Sequence, residues 1–387
     1  MCSMNNNMKN DWIDIKRGIE TICKKFPEPY WQNLDRSRSY PTDFVDTLTK
    51  SGYLSILIPE KYGGSGLPLR AASVILEEIH RCGANGAACH AQMYIMGSLL
   101  KHGSEELKLK YLPEIARGKL RLQAFGVTEP SSGSDTLSIK TKAKKIGNKF
   151  IINGQKVWTS RAEHSDLILL LTKTDESEIK KNNLSLFLID MRPHINKSIF
   201  IKPIKTMINH SSTEIFFENL EVNEDCLVGS LGLGFSYILD GMNAERILIA
   251  SECLGDAKYF IDKAKSYAND RKVFNRPIGK NQSIQFPIAQ AYANTRAAEL
   301  MVKEACSLFD SNIKCGEESN LAKLLAADAS WEAADIAMQT FGGFSFSEEY
   351  NIERKFRETR LYRIAPVSTN MILAYISHKV LGMPRSY

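Results

Sequence analysis

The apolar residues of this chain change their spacing twice, and few folds satisfy both changes. From residue 11 to about 120 they recur at threes and fours, as in Phe44, Leu48 and Leu54, in Ala72, Val74, Ile75 and Ile79, and in Met93, Met96, Leu99 and Leu100. That is the period of helices buried along one stripe. Breaks fall where helices should stop: Pro59 with Gly63 and Gly64, Gly83 with Gly86, and Gly103 with Ser104. At about residue 121 the pattern becomes one of short runs (167–171, 184–189, 199–204, 214–217), rich in Ile, Leu and Phe and bounded by turn residues. Ile146-Gly147-Asn148-Lys149 and Asn153-Gly154 read as hairpin or bulge turns. Past about 228 the helical period returns over 235–269, over 282–309 after Pro277-Ile278-Gly279, and over 321–341, which Gly342-Gly343 closes. A charged helix over 348–358 and an apolar one over 368–381 complete the chain. The expectation is an α+β protein of three domains: helical over 1–120, β over 121–228 and helical over 229–387.

A chain of 387 residues also exceeds what one hydrophobic core fills comfortably. It has no run of 18 apolar residues, and Met1-Cys2-Ser3-Met4-Asn5-Asn6-Asn7-Met8 lacks the apolar centre of a signal peptide. A cytoplasmic location without integral membrane association is therefore expected. The eight cysteines, at 2, 23, 82, 89, 226, 253, 306 and 315, form no Cys-x-x-Cys pair and no Cys/His spacing suited to zinc, so they read as reduced packing residues and no metal site is expected. The net charge of +6 comes from lysines interleaved with Asp and Glu, not from one basic block, which argues against a nucleic-acid partner. The same mild excess suits a phosphorylated small molecule.

One stretch of the β region carries chemistry. It runs Phe125-Gly126-Val127-Thr128-Glu129-Pro130-Ser131-Ser132-Gly133-Ser134-Asp135, and Trp158-Thr159-Ser160 follows 23 residues after Asp135. Small residues around a Pro turn let backbone N–H groups approach an acceptor-rich ligand, hydroxyls add donors, and an indole supplies a flat apolar wall. The mixture reads as a pocket for a large planar, phosphorylated cofactor. A solvated Ser/Gly turn before a strand that carries one core Trp reads the same residues equally well.

The order of domains and five signatures resemble the acyl-CoA dehydrogenase family over nearly the whole chain. The first is the Thr-Glu-Pro, Ser-Asp and Trp-x-Thr pattern just quoted, with Ser160 where the family usually has Thr. The resemblance implies FAD as cofactor, lined by Phe125, Val127, Thr128, Gly133, Ser134, Trp158, Thr159 and Ser160. The second is Arg271-Lys272-Val273-Phe274, then Pro277-Ile278 and Gln282, and the third is Gln339-Thr340-Phe341-Gly342-Gly343, with Ser345 at a usual glycine. These imply that Arg271, Phe274, Gln282, Gln339, Gly342 and Gly343 reach the FAD of a neighbouring subunit, which makes the protein a homo-oligomer, a dimer of dimers in the family pattern. A guanidinium forks onto a pyrophosphate and an aromatic covers an adenosine. Taken alone, Arg271 is a helix-surface charge and Gly342-Gly343 a helix cap. Ser368 and Asn370 are assigned to FAD as well. The fourth signature, Pro59-Glu60-Lys61-Tyr62-Gly63-Gly64-Ser65-Gly66, is read as structural.

The fifth should carry the catalytic base, and here the chain departs from the commonest arrangement. After Leu361-Tyr362-Arg363-Ile364 it reads Ala365-Pro366-Val367-Ser368-Thr369-Asn370, so Pro366 stands where a Glu would be. Proline supplies neither a base nor a backbone N–H for the thioester oxygen. Isovaleryl-type members hold their Glu earlier, in a segment that Gly241-Met242-Asn243-Ala244-Glu245-Arg246-Ile247 resembles, and this implies Glu245 as base. By itself Glu245 is a solvated helix-face carboxylate. Asn243 and Arg246 correspond to positions near the CoA portion, and Ser134 reaches the thioester side. His164 and His210 have no metal partners at suitable spacing and are left out.

The expected activity is α,β-dehydrogenation of an acyl-CoA to the 2,3-enoyl-CoA, with electrons passed to an electron-transferring flavoprotein, within fatty acid and lipid metabolism. Two alternatives follow from Pro366: an oxidase or monooxygenase of the same fold acting on a non-CoA substrate, and a non-catalytic flavin-binding relative.

Overall fold

A computed structural model describes residues 4–174 and 180–385. Among the described residues six α-helices come first: α1 (Met4–Cys23), α2 (Glu28–Ser37), α3 (Thr42–Lys50), α4 (Leu69–Arg81), α5 (Ala87–His102) and α6 (Glu105–Ala116). Ser104 caps α6 by accepting from the Leu107 N–H at 3.2 Å, and Glu105 and Glu106 face the positive end of its dipole. Eight strands follow: β1 (Leu122–Gly126), β2 (Lys142–Ile146), β3 (Lys149–Ser160), β4 (Leu167–Lys173), β5 (Leu184–Asp190), β6 (Ile199–Pro203), β7 (Ser212–Asn223) and β8 (Leu227–Val228). The chain then returns to helix in α7 (Gly234–Asp270). After a small hairpin of β9 (Lys272–Val273) and β10 (Arg276–Pro277) come α8 (Gln282–Asp310), α9 (Gly316–Phe341), α10 (Ile352–Thr359) and α11 (Thr369–Tyr375). No helix among the described residues is long and apolar enough to cross a membrane.

By contacts the chain forms two compact units. One comprises Met1–Ser37, Pro68–Gly86 and Asn243–Tyr387; the other comprises Arg38–Leu67 and Ala87–Met242. The second unit holds the sheet, in the order β6-β7-β3-β2-β4-β5-β8 with β1 added parallel to β4. Ile146 pairs with Lys149 across the predicted hairpin turn, with Gly147 at φ 62°. Asn153-Gly154 lies inside β3 as a bulge, where the register against β7 shifts. Both faces of the sheet are buried. Leu167, Leu169, Leu171, Leu184, Leu186 and Leu188 join residues of α5 and α6, such as Met96, Leu99 and Leu112, in one core. Ile168, Leu170, Phe187 and Ile189 turn the other way, onto Phe150, Ile152, Ile215 and Phe217. A strand covered on both sides has no polar alternation, which is why β4 and β5 stand out as predominantly apolar runs.

In the first unit small residues let helices approach closely. A Cβ at Gly255 of α7 would fall 2.2 Å from the Glu77 carbonyl of α4. Ala291, Ala298 and Ala305 of α8 and Ala322, Ala326, Ala329, Ala333 and Ala337 of α9 are buried. The predicted 348–358 helix divides at Asn351, which takes φ 60° and starts α10 afresh. The predicted 368–381 helix ends its α-helical part at Tyr375 and closes with one π turn, Ile376–Val380. Beneath α10 lies a buried charge cluster. Arg354 pairs with Glu358 at 2.6 Å, and Lys355 pairs with Glu358 at 3.1 Å and Asp256 at 2.5 Å. Asp256 also bonds His80 at 2.9 Å.

Candidate active site

The Thr128-Glu129-Pro130 turn is built from inside the sheet. Glu129 and Ser132 exchange backbone hydrogen bonds at 3.0 Å, which leaves Pro130 and Ser131 as the tip of a tight loop. Glu129 itself points inward and accepts from the Lys140 N–H at 2.6 Å, the Thr141 N–H at 2.9 Å and Lys156 Nζ at 2.9 Å. Lys156, 0% exposed on β3, also donates to the Val127 carbonyl at 2.9 Å, and the Val157 N–H donates to the Thr128 carbonyl at 2.9 Å. Burial pulls Lys156 down to about 8 against the attraction of Glu129. Burial pushes the Glu129 carboxyl up, but Lys156 and the amide donors leave it below the ordinary range. A buried pair that is fully hydrogen-bonded clamps the loop to the sheet. Motif reading passed over Lys156; the signal is its inward position on a strand whose Phe150 and Ile152 are core.

Two residues on, the strand does something a core strand does not. Trp158 takes φ 60° at a register shift between β3 and β7 and leaves its side chain 58% exposed. A bulky residue in left-handed backbone costs of order 1 kcal/mol or more. The alternative of a core Trp is thereby overturned, because the indole is turned outward. Thr159 is buried, and its Oγ1 has no hydrogen-bond partner. Ser160 is half-buried, Gly133 and Ser134 are exposed, and a Cβ at Gly133 would meet nothing within 4 Å. Phe125 sits on β1, half-buried and edge-on to Tyr94 at 6.0 Å; Val127 packs on the same core. An outward indole, an orphan hydroxyl and an open glycine fit the flat, acceptor-rich cofactor the motif implied.

The first unit brings the remaining candidates together in two places. Near the start of α7, Glu245 is 7% exposed, so it is not a solvated helix-face carboxylate. Burial lowers the pKa of Arg246 beside it, and Glu245 opposes that shift. Its Nη1 donates to Asn243 Oδ1 at 2.9 Å, and its Nε is buried without a partner. Pro366 lies in the turn between α10 and α11. Ser368, beside it, caps α11 by accepting from the Met371 N–H at 3.3 Å, and Asn370 is exposed.

The second place is the far end of α7. Arg271 is exposed and places its guanidinium 5.7 Å from the Phe344 ring. Phe274 and Asn275, at φ 52° and 60°, form the tip of the β9–β10 hairpin, and Phe274 projects 95% exposed. Tyr267 stacks on Phe341 at 4.1 Å, which puts Gln339, Gly342 and Gly343 at this same end. Gln282 and Gln339 are exposed, and a Cβ at Gly342 or Gly343 would meet nothing within 4 Å. Ser345 is buried and donates to the Gly342 carbonyl at 2.7 Å, so its hydroxyl tightens the turn that a glycine usually makes. The Pro59 to Gly66 loop is structural in geometry: a Cβ at Gly64 would lie 2.1 Å from the Ile58 carbonyl. His164 is exposed and stacked on Tyr40, and among the described residues no group of His, Cys, Asp and Glu could hold a metal.

Models of the acyl-CoA dehydrogenase N-terminal, middle and C-terminal domains match residues 12–119, 124–220 and 232–381. Acyl-CoA dehydrogenase FadE12 of Mycobacterium tuberculosis is 30% identical over 378 residues, 96% of this chain and 96% of that protein. The 3-(aryl)acrylate reductase of Clostridium sporogenes is 34% identical over 354 residues, 90% of this chain and 93% of that protein. Among solved structures, a glutaryl-coenzyme A dehydrogenase in complex with glutaryl-CoA aligns with a TM-score of 0.90 at 28% identity, covering 97% of this chain and 96% of that one.

Proposed function

The chain belongs to the acyl-CoA dehydrogenase family and is an FAD-dependent oxidoreductase acting on CH–CH donors, and on that footing we propose that it converts an acyl-CoA thioester to the 2,3-enoyl-CoA with Glu245 as base. The observation that carries this is the burial of Glu245 on α7, in a chain whose usual base position is Pro366. FAD, held by the residues of the Phe125–Ser134 and Trp158–Ser160 stretches, would supply the acceptor for the β hydride. Glu245 removes the α proton from a position largely withdrawn from water. Arg246 and Asn243 hold the CoA side. Trp158 forms a wall of the flavin site, and the hydroxyls of Thr128, Thr159 and Ser160 donate toward the cofactor. Electrons then pass to an electron-transferring flavoprotein.

The protein is proposed to work as a homo-oligomer. At about 1.5 Å per residue, the axis of α7 from Glu245 to Arg271 runs roughly 39 Å, more than an FAD molecule spans. Arg271, Phe274 and the Gln339 to Gly343 end therefore serve a flavin other than the one beside their own Glu245, that of a neighbouring subunit.

Replacing Glu245 by Gln should leave FAD bound while slowing substrate-dependent bleaching of the flavin by at least about a thousandfold. Bleaching at the wild-type rate with any of a chain-length and branched acyl-CoA series would sink the assignment. Peroxide or an oxygenated product formed without an acyl-CoA would favour the oxidase reading instead.

A further inference from the structure

Lys323 is a buried cation that none of this chemistry uses. It lies on α9 among alanines and serines and is 0% exposed. Its Nζ donates to the Val367 carbonyl at 2.8 Å, and among the described residues no carboxylate pairs with it. A buried ammonium that makes one neutral hydrogen bond carries a desolvation penalty that a methionine would avoid. Fold stability alone therefore gives no reason for a lysine at this position.

What it holds is informative. Val367 follows Pro366 and precedes Ser368, the cap of α11. The same segment is tied down by Thr369 Oγ1, which donates to the Arg363 carbonyl at 3.3 Å, and by Arg363, which pairs with Asp328 of α9 at 3.1 Å. Pro366 contributes no N–H, and the N–H groups of Ile364 and Ala365 both donate to the Leu361 carbonyl, so the Val367 carbonyl takes its donor from Lys323. The groups that face Lys323 are Arg246 and Cys253 from α7, Arg363 from the turn after α10, and Asp328 from its own helix. Asp328 is already engaged by Arg363. We propose that Lys323 is a positioning residue for the dehydrogenation, its ammonium gripping the Val367 carbonyl so that the 364–368 loop keeps the shape the substrate thioester needs. This rests on the reading of that loop as part of the acyl-CoA site.

The proposal has a pH signature. Burial lowers the Lys323 pKa, so the grip is strongest while the amine is protonated and weakens as pH rises through that lowered value. An arginine stays charged throughout.

The test compares FAD-loaded wild type with Lys323→Met, Lys323→Arg and Glu245→Gln, by hydrogen–deuterium exchange over residues 361–372 and by the rate of flavin reduction against pH. Lys323→Met should keep its FAD, exchange this segment about tenfold faster, and reduce its flavin about ten- to a hundredfold more slowly with a smaller change in acyl-CoA affinity. Lys323→Arg should recover part of the rate and move the alkaline limb upward. A folded Lys323→Met with wild-type exchange and pH profile overturns the proposal; if that variant does not fold, an unmoved alkaline limb in Lys323→Arg does so. Exchange needs no turnover, so the Lys323 result is independent of whether Glu245→Gln loses its activity.

Discussion

At Trp158 one residue belongs to a strand and yet turns its side chain outward, and the backbone yields to allow it. Its left-handed φ at a register shift turns the indole outward, while Thr159 next to it stays buried. Alternation along a strand predicts which face a residue takes only while the register holds. The residue pattern alone therefore left a core Trp and a cofactor wall equally open. What keeps the neighbouring loop in place is the Lys156–Glu129 pair. Lys156→Met and Glu129→Gln should each destabilise the protein by about 3–5 kcal/mol, because each leaves the other charge buried and alone. The double variant should cost less than the sum, as read from urea unfolding midpoints. Trp158→Ala should behave oppositely: an exposed side chain contributes little to the fold, so unfolding barely moves while FAD is lost on dilution. Equal stability losses in Trp158→Ala and Lys156→Met would count against this division of roles.

Among elements, those with a single strong period were the most legible. Helices α7 and α8 begin and end within about a residue of the apolar pattern that predicted them, and β4 and β5 contain the predominantly apolar runs 167–171 and 184–189. Helix α9 starts earlier, at Gly316, because its first turn is the polar Glu317-Glu318 that suits a helix N-terminus but shows no period. The charged 348–358 segment was the least legible. Its pattern gave only a charged helix, whereas Arg354, Lys355 and Glu358 are buried against His80 and Asp256, elements away in sequence. Long-range pairing of charges leaves no local trace. It does leave a pH dependence. Burial pushes the Glu358 carboxyl up, and Arg354 and then Lys355 pull it down further, to about 2. A carboxyl whose folded pKa lies below its ordinary 4.5 stabilises fully above that value and progressively less as pH falls toward 2. Unfolding midpoints measured from pH 6 to 2 should therefore drop in this window. Glu358→Gln should lower the plateau and flatten the drop; an unchanged slope would assign the acid sensitivity elsewhere.

The whole molecule raises a question that no single chain answers, because α7 carries the proposed base near one end and the Arg271 cluster at the other. If each active site takes Glu245 from one subunit and Arg271, Phe274 and Gln339 from its neighbour, the two sets can be broken in different chains. Glu245→Gln should be inactive with its flavin in place. Arg271→Glu should lose FAD, because a carboxylate now faces the pyrophosphate of the neighbouring site. Phe274, almost wholly exposed on its hairpin, should become protected from solvent when subunits assemble, as should Phe346, which is 77% exposed. Co-expressing the two variants creates mixed oligomers in which some sites pair an intact Glu245 from the Arg271→Glu chain with an intact Arg271 from the Glu245→Gln chain. Those sites should hold FAD and bleach with acyl-CoA, although neither parent does so. Mixed oligomers isolated by two affinity tags that remain as inactive as their parents would mean that each chain completes its own site, and the exposed Arg271 end would then need another purpose.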